Sequence, residues 1–365
     1  MVEFDMRGTS TSYTRWLASQ DVPVHSGYYV EDARKLERGF WDLRGCKTAV
    51  VNLEGHKSVQ QISVLEIPPG ESIPPFHMAL EEIIYVLEGQ GLASVWAEGY
   101  PKINFEWHKH SYFRIPTNYH YQLSNARGDQ PALTLHVNLM PLALHTNRNT
   151  DFIFKNPYVE PTELYKEDDG KDFYSAEARA VQRQNGFLWY ANFFPDLTIW
   201  DKLDSSYTPG RLSYHGGIWF PNSAFSTGLM VLPSRRFRNA HRHAAGTCIV
   251  GIQEAQGFVV MWPENGDYVI APWQEGAIFV PPYNWYHLHA NSGPVENRQL
   301  RIRAPRPGAN PDADSRRMIP LSQLDPFIRQ KFEEELAKNG LTSLMPEEAY
   351  TNPNYEWDPE WLKED

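Results

Sequence analysis

The chain has 365 residues, of which 41% are hydrophobic, and its 12 Trp, 19 Tyr and 18 Phe can fill large cores, which excludes a wholly disordered protein. Its formal net charge of −11 disfavours nucleic-acid binding, and its apolar runs are too short to span a membrane. Two cysteines cannot build a disulfide framework, and the acidic start MVEFDMRGTSTSYTRW lacks the features of a signal peptide. We therefore expect a cytoplasmic protein of two domains, without nucleic-acid or membrane partners.

Short runs of β-branched and aromatic residues, separated by Gly and Pro, dominate the middle of the chain and are typical of a β-sandwich or barrel. The predicted strands are Ser63–Ile67, Ile83–Leu87, Leu92–Ala97, Tyr112–Ile115, Leu133–Asn138, Leu229–Leu232, Cys248–Ile252, Phe258–Trp262, Tyr268–Ala271, Ala277–Val280 and Gln299–Arg303. Helical patterning is restricted to Asp325–Asn339, which Gly340 ends, and to a less regular segment, Glu31–Leu43.

The chain contains an internal repeat. Residues 82–91 align with residues 248–257 at a shift of 166, and the same shift relates Trp96 to Trp262, Trp107 to Trp273, Pro116 to Pro282 and Asn125 to Asn291. We infer two copies of one β-module, at 51–145 and 211–308, with an N-terminal extension (1–50) and a C-terminal extension with a helix (309–365). The aromatic segment 146–210 between them is too apolar for a free linker, so we expect it to pack on a module or on a partner subunit.

Three histidines of the second copy have a spacing typical of a metal site. His241 and His243 are two residues apart, so on a strand they project to one face, and His287 follows about forty residues later. Three neutral imidazoles suit Zn, Fe, Ni, Cu or Mn and leave coordination positions open. The alternative is that they are core or surface histidines satisfied by hydrogen bonds.

These residues carry a family resemblance: the repeated module resembles the cupins, and the doubled chain resembles a bicupin. The first cupin motif, G-x5-H-x-H-x3-4-E-x6-G, covers the histidine pair. The second, P-x-G-x2-H-x3-N, covers Pro282, His287 and Asn291, with Asn284 in place of its glycine. The resemblance implies an all-β fold of two tandem cupin barrels (double-stranded β-helices, or jelly rolls) with a few peripheral helices. It also implies a metal ion bound by the three histidines.

The chain departs from the cupin pattern in both copies. At the constant shift, the motif glutamate of the second copy is replaced by Cys248, which is either a small packing residue or an additional site residue. The first copy keeps Glu82 and His77, but Pro75 and Tyr121 stand where histidines are expected. We therefore expect the first barrel to be degenerate and the second to hold the working site.

Cationic side chains near the histidines point to an anionic substrate. Arg238 is a candidate substrate-binding residue, and Arg301 and Arg303 are candidate catalytic residues. Two arrangements are open, because either the arginines or the apolar residues that alternate with them face the barrel interior. If the apolar residues face the interior, the arginines form salt bridges on the surface.

Three further residues complete the predicted site. His289 shares a strand face with His287 and is a candidate acid/base residue, with a structural role as the alternative. Tyr283 and Trp285 are predicted to wall the barrel mouth and contact the substrate, or else to fill the core.

Three histidines without a carboxylate resemble gentisate-type and related non-haem iron dioxygenases. That resemblance implies Fe(II), O₂ and cleavage of a carbon–carbon bond in a small hydroxy-aryl or hydroxy/keto acid chelated to the metal. The ring-cleaving bicupins usually carry their working histidines in the first barrel, whereas this chain has them in the second. Two alternatives remain: a non-oxidative lyase, isomerase or decarboxylase using Zn, Mn or Ni, and a non-enzymatic small-molecule-binding bicupin. The aromatic extensions predict a homo-oligomer, either a dimer or a tetramer.

Overall fold

The computed structural model describes residues 12–55, 59–166, 170–183, 186–199, 212–243, 246–305 and 318–357. The predicted segment boundaries at 210/211 and 308/309 lie outside the described residues. The strands are β1 (Val24–Gly27), β2 (Tyr29–Val30), β3 (Gly39–Trp41), β4 (Cys46–Leu53), β5 (Gln61–Ile67), β6 (Glu82–Glu88), β7 (Gln90–Trp96), β8 (Ile103–His108), β9 (Tyr112–Ile115), β10 (His120–Asn125), β11 (Ala132–Asn138), β12 (Arg179–Arg183), β13 (Gly186–Tyr190), β14 (Phe193–Phe194), β15 (Tyr214–Trp219), β16 (Ser226–Leu232), β17 (Arg236–Phe237), β18 (His241–Arg242), β19 (Thr247–Gly251), β20 (Gly257–Trp262), β21 (Val269–Trp273), β22 (Ile278–Phe279), β23 (Tyr286–Asn291) and β24 (Asn297–Arg303). The helices are α1 (Ser12–Ala18), α2 (Met140–Thr146), α3 (Thr150–Phe154), α4 (Thr162–Tyr165), α5 (Pro326–Lys338) and α6 (Glu347–Thr351).

The strands form two jelly-roll barrels, each made of a large and a small sheet. In barrel A the sheet β1-β4-β5-β11-β6-β9-β14, with β3 on β4, faces the three-stranded sheet β10-β7-β8. In barrel B the sheet β12-β13-β15-β16-β24-β19-β22-β2 faces the sheet β17-β23-β20-β21, with β18 on β23. The predicted all-β fold of two tandem barrels is confirmed.

The burial of each strand follows from its place in the two barrels. In β8 and β10, which lie in the small sheet, buried and more exposed residues alternate, because one face meets the barrel interior and the other meets solvent. In β6 all residues but the last are buried, because one face fills barrel A and the other packs against barrel B. The central strands of the large sheets are therefore buried on both sides, and a shared apolar core lies between the barrels.

Segments outside the predicted barrels also join the sheets. Strand β2 of the N-terminal extension pairs with β22 of barrel B, and β14 of the aromatic segment pairs with β9 of barrel A. Ion pairs add to this connection: Arg34 Nη1 lies 2.8 Å from Glu275 Oε2 of barrel B, and Lys109 Nζ of barrel A lies 2.9 Å from Glu275 Oε1. The two barrels are thus joined by paired strands and charges as well as by the shared core.

The repeat is visible in the structure, but its shift is not constant. Gly91 pairs with Asn125 just as Gly257 pairs with Asn291, a shift of 166 residues. Both glycines lie so close to the neighbouring strand that an added Cβ would be 1.8 Å and 2.2 Å from a backbone oxygen, respectively, which explains why glycine occurs in both copies. The shift for β6 and β19 is 165 instead.

The predicted C-terminal helix is confirmed as α5, which begins after Asp325, whose side chain accepts a hydrogen bond from the Phe327 amide. The prediction of a helix over Glu31–Leu43 is wrong, since the segment holds a single 3₁₀ turn at Ala33–Lys35, followed by β3. Pairing of this segment with both barrels overrides its local pattern. None of the described helices has the length and apolar composition needed to cross a membrane.

Candidate metal centre

Paired strands of barrel B bring three histidines together. His241 on β18 lies directly opposite His287 on β23, and His243 follows two residues after His241. The Asn284 amide donates a hydrogen bond to the carbonyl of His243 at 3.2 Å. Asn284 has a φ of 64°, so it adopts the left-handed conformation expected where the cupin motif has glycine.

The three imidazole rings surround a common point. Their centroids are 4.3 Å apart for His241 and His287, 4.7 Å for His243 and His287, and 5.7 Å for His241 and His243. One ligand nitrogen from each ring lies within 4.8 Å of the other two, and this group contains no carboxylate or thiol among the described residues. The donor set fits a divalent transition metal, because such ions prefer imidazole and bind it at about 2.0–2.1 Å.

Its surroundings keep the His241 imidazole in the neutral, metal-binding form. Burial lowers the pKa of His241 well below its ordinary 6.5, and the imidazole of His287 and the guanidinium of Arg238 lower it further. Neutral imidazoles carry the lone pair that a metal ion needs.

A fourth histidine lies beside the group. His289 is only 2% exposed, and its ring centroid is 5.7 Å from that of His287 and 5.4 Å from that of Phe279. Its Nδ1 has no hydrogen-bond partner among the described residues. Burial and the charge of Arg238 hold the pKa of His289 well below 6.5. A neutral imidazole is therefore placed within the barrel, next to the three candidate ligands.

The arginines of β24 face the interior of barrel B, which is one of the two arrangements left open by the sequence. Leu300 and Ile302 point into the core between the barrels, so Arg301 and Arg303 project from the other face of the strand. Arg301 lies opposite Ile249, which belongs to the barrel interior. Its charge contributes to lowering the pKa of His289, as does that of Arg238, which is buried with its Nη1 2.6 Å from Met230 Sδ.

Of the two predicted aromatic contacts, the structure brings one to the barrel. The side chain of Tyr283 is 71% exposed and lies away from the barrel interior. Trp285 precedes His287 by two residues and packs against the cluster that fills barrel B. Its ring lies 5.2 Å from that of Tyr28, which sequence reasoning missed because Tyr28 comes from the N-terminal extension.

The prediction that Cys248 takes the place of the motif glutamate is wrong. Glu82 lies opposite Ile115 in β9, and the strand pairings of β19 place Thr247, not Cys248, at the equivalent position. A shift of one residue turns a side chain to the other face of a strand. Cys248 therefore points into the core between the barrels, where burial raises its pKa, and it does not reach the histidines.

The same correction applies to His77. Phe76 lies opposite Tyr121 as His241 lies opposite His287, so Phe76 is the counterpart of the first histidine. His77 points to the other side, where its Nδ1 lies 3.1 Å from Asn118 Oδ1 and its ring 4.4 Å from that of His120. Of the two in-facing ligands expected in the first copy, only Glu82 faces the interior of barrel A.

No family model matches the chain, and no curated protein matches it by sequence. By fold, it is similar to a solved structure of a mutant of Bacillus subtilis oxalate decarboxylase, with 12% identity, a TM-score of 0.49 and coverage of 88% of each chain. It is also similar to Lactobacillus farciminis oxalate decarboxylase in complex with formate, with 12% identity and a TM-score of 0.46 over 76% of this chain and 86% of that one. A vicilin from tomato, Solanum lycopersicum, is 13% identical, with a TM-score of 0.45 over 77% and 86% of the two chains.

These similarities concern the fold alone. The strand order of the chain itself gives two tandem jelly-roll barrels, and the three histidines come together in the second. The chain therefore has the fold of two tandem jelly-roll barrels, which is the fold predicted from its resemblance to the bicupins.

Proposed function

We propose that the protein is a metal-dependent enzyme with one mononuclear site, in which His241, His243 and His287 hold a divalent ion. The observation that carries this proposal is the convergence of three imidazoles in barrel B. When bound there, the ion would keep its full double positive charge and supply Lewis-acid chemistry to a chelating substrate.

The charged residues around the histidines define the substrate class. Arg301 and Arg303 project from the interior face of β24, and Arg238 is buried close enough to lower the pKa of His289. Guanidinium groups bind carboxylates through two parallel hydrogen bonds. We therefore propose a small carboxylic acid as substrate, with these arginines orienting its carboxylate.

Three further side chains are assigned roles in the proposed site. His289 is buried and neutral beside the candidate ligands, and its proposed role is to hold a proton at Nδ1 during the reaction. Trp285 and Tyr28 form an aromatic pair that would limit the access of water at the end of the interior where Trp285 lies.

For the reaction, we place non-oxidative lyase, isomerase or decarboxylase chemistry with Mn, Zn or Ni first. Such chemistry needs only a Lewis acid and cations that stabilise negative charge developing on a bound acid, and it requires no second substrate. Fe(II)-dependent dioxygenation is the second candidate. It is favoured by the donor set, because among the described residues the metal-binding group contains three histidines and no carboxylate. Three-histidine iron dioxygenases have a similar set of ligands.

The test starts from protein purified without added metal and loaded separately with Mn(II), Zn(II), Ni(II) or anaerobic Fe(II). Each form is incubated with a panel of small aliphatic and hydroxy-aryl carboxylic acids, and products are followed by NMR together with oxygen uptake. Turnover without oxygen uptake, lost in His287→Ala, supports the first candidate, and turnover with Fe(II) and oxygen uptake supports the second. Protein that binds none of the four metals contradicts the proposed function and favours a non-enzymatic binding role.

A further inference from the structure

Barrel A contains a buried guanidinium surrounded by polar side chains. Arg44 follows β3 and enters the barrel, where its Nη1 lies 3.2 Å from Glu82 Oε1 and its Nη2 lies 3.2 Å from Glu82 Oε2. Arg44 Nη2 also lies 3.2 Å from His136 Nδ1 and donates a hydrogen bond to the hydroxyl of Tyr121. Both charged side chains are almost fully buried, at 3% and 1% exposure.

This cluster occupies the position that corresponds to the candidate metal centre of barrel B. Tyr121 corresponds to His287, because Tyr121 lies opposite Phe76 just as His287 lies opposite His241. Phe76 therefore corresponds to His241, and the Arg44 guanidinium lies 4.0 Å from the centre of the Phe76 ring. The guanidinium thus lies among the residues that replace the ligands.

The groups around Arg44 are those that a divalent cation would also attract. The Glu82 carboxylate accepts hydrogen bonds from Tyr121 and, at 3.2 Å, from Asn138 Nδ2, and its Oε2 lies 3.1 Å from His136 Nδ1. A carboxylate and an imidazole bind Mn(II) and related ions, and the hydroxyl oxygen of Tyr121 adds a third donor atom. A buried carboxylate requires a compensating cation, and in this barrel Arg44 supplies it.

We propose that the Arg44 guanidinium is a built-in substitute for a metal ion in barrel A, and that its removal opens a second divalent-cation site formed by Glu82, His136 and Tyr121. Barrel A then carries a covalently attached cation at the position where barrel B has its three histidines. This inference does not depend on the proposed function, because it concerns barrel A alone.

The test is made in a His243→Ala background, so that barrel B contributes no ion whether or not it binds one in the native protein. Binding of Mn(II) alone is measured by electron paramagnetic resonance of the free ion for Arg44→Ala. The matched controls are Arg44→Lys, which keeps the positive charge, and the double variant Arg44→Ala/Glu82→Gln, which removes the carboxylate. We expect Arg44→Ala to bind about one Mn(II) per chain and to show a raised melting temperature in its presence, and both controls to do neither.

If Arg44→Ala does not fold alone, its refolding from denaturant is compared with and without Mn(II). A recovered folded fraction that increases with Mn(II), and that does so only when Glu82 is present, supports the inference. Mn(II) binding by Arg44→Ala no greater than that of Arg44→Lys, or refolding unaffected by Mn(II), overturns it and leaves Arg44 as the partner of a structural ion pair.

Discussion

His241 and His287 lie directly opposite each other on paired antiparallel strands, with their ring centroids 4.3 Å apart. A cross-strand pair is held by the backbone hydrogen bonds of the sheet, so the positions of these two donors depend on strand register rather than on loop conformation. His243 directly follows β18, and its carbonyl accepts a hydrogen bond from the Asn284 amide. The centre is therefore largely formed by the fold itself.

The turn that holds His243 should be sensitive to the residue at 284. Asn284 has a φ of 64°, and for a residue with an ordinary Cβ that conformation costs about 1–2 kcal/mol. We expect Asn284→Ala to lower the free energy of unfolding by about 1 kcal/mol and to weaken metal binding, whereas Asn284→Gly should retain both. Urea unfolding and metal titration measure these effects. Equal stability of the Ala and Gly variants would show that the turn does not constrain the site.

Arg301 on β24, which lies opposite Ile249, should contribute to anion binding. A charge-assisted hydrogen bond contributes about 1.5–3 kcal/mol, so Arg301→Met should weaken the binding of a small dicarboxylate such as malonate by roughly 10- to 150-fold. Arg298→Met is the matched control, because Arg298 lies on the same strand and binds Glu296 at 2.7 Å. Calorimetry on the metal-loaded protein gives both affinities, and similar losses in the two variants would contradict a specific role for Arg301.

Cys248 should affect stability and leave the metal site unchanged. It lies in the apolar core between the barrels, so Cys248→Ser places a hydroxyl there at a cost of about 1–3 kcal/mol. We expect Cys248→Ser to unfold at lower denaturant concentration than Cys248→Ala, with unchanged metal content in both. Loss of the metal in either variant would restore Cys248 as a ligand and overturn its assignment to the core.

Glu82 should stabilise barrel A in a pH-dependent way. Burial raises the pKa of Glu82, but the charges of Arg44 and His136 and their hydrogen bonds outweigh it, so the folded-state pKa lies well below the ordinary 4.5. A depressed carboxylate pKa contributes stability that is fully present above about pH 4.5 and is lost as the pH falls towards the folded-state value. Glu82→Gln should therefore cost about 3–5 kcal/mol at pH 7, because it leaves Arg44 buried without its counter-charge.

The same reasoning predicts that the stability difference between wild type and Glu82→Gln narrows as the pH is lowered below 4.5. Denaturant unfolding at a series of pH values from 7 to about 4 measures it. A difference that stays constant over this range would show that the pKa of Glu82 in the folded state is not lowered relative to the unfolded state.

Features with a strong local signal could be predicted from the sequence. The strands at Tyr112–Ile115 and Gln299–Arg303, the capped helix after Asp325 and the bicupin fold follow from alternation, turn residues and the repeat. The histidine spacing also predicted which side chains converge, because strand alternation places His241 and His243 on one side.

What could not be predicted depends on single-residue register and on distant partners. The chain from Thr247 to Gly257 is one residue longer than the chain from Glu82 to Gly91. An alignment anchored on the two glycines therefore puts Cys248 where Thr247 belongs. The faces of β24 were ambiguous, because both sides of that strand are covered in a two-barrel protein. Arg44 is 38 residues from Glu82 in the chain, and no local pattern connects them.

The most direct measurement for the central claim is the metal content per chain of protein purified without added metal, before and after incubation with excess Mn(II) or Fe(II) and removal of unbound ion. The account predicts about one divalent ion per chain in the wild type and almost none in His287→Ala. The control is His120→Ala, which should also bind about one ion, because His120 lies in barrel A with its ring stacked on that of Trp96. A wild type that takes up no ion, or a His287→Ala variant that retains a full equivalent, would contradict a metal centre in barrel B.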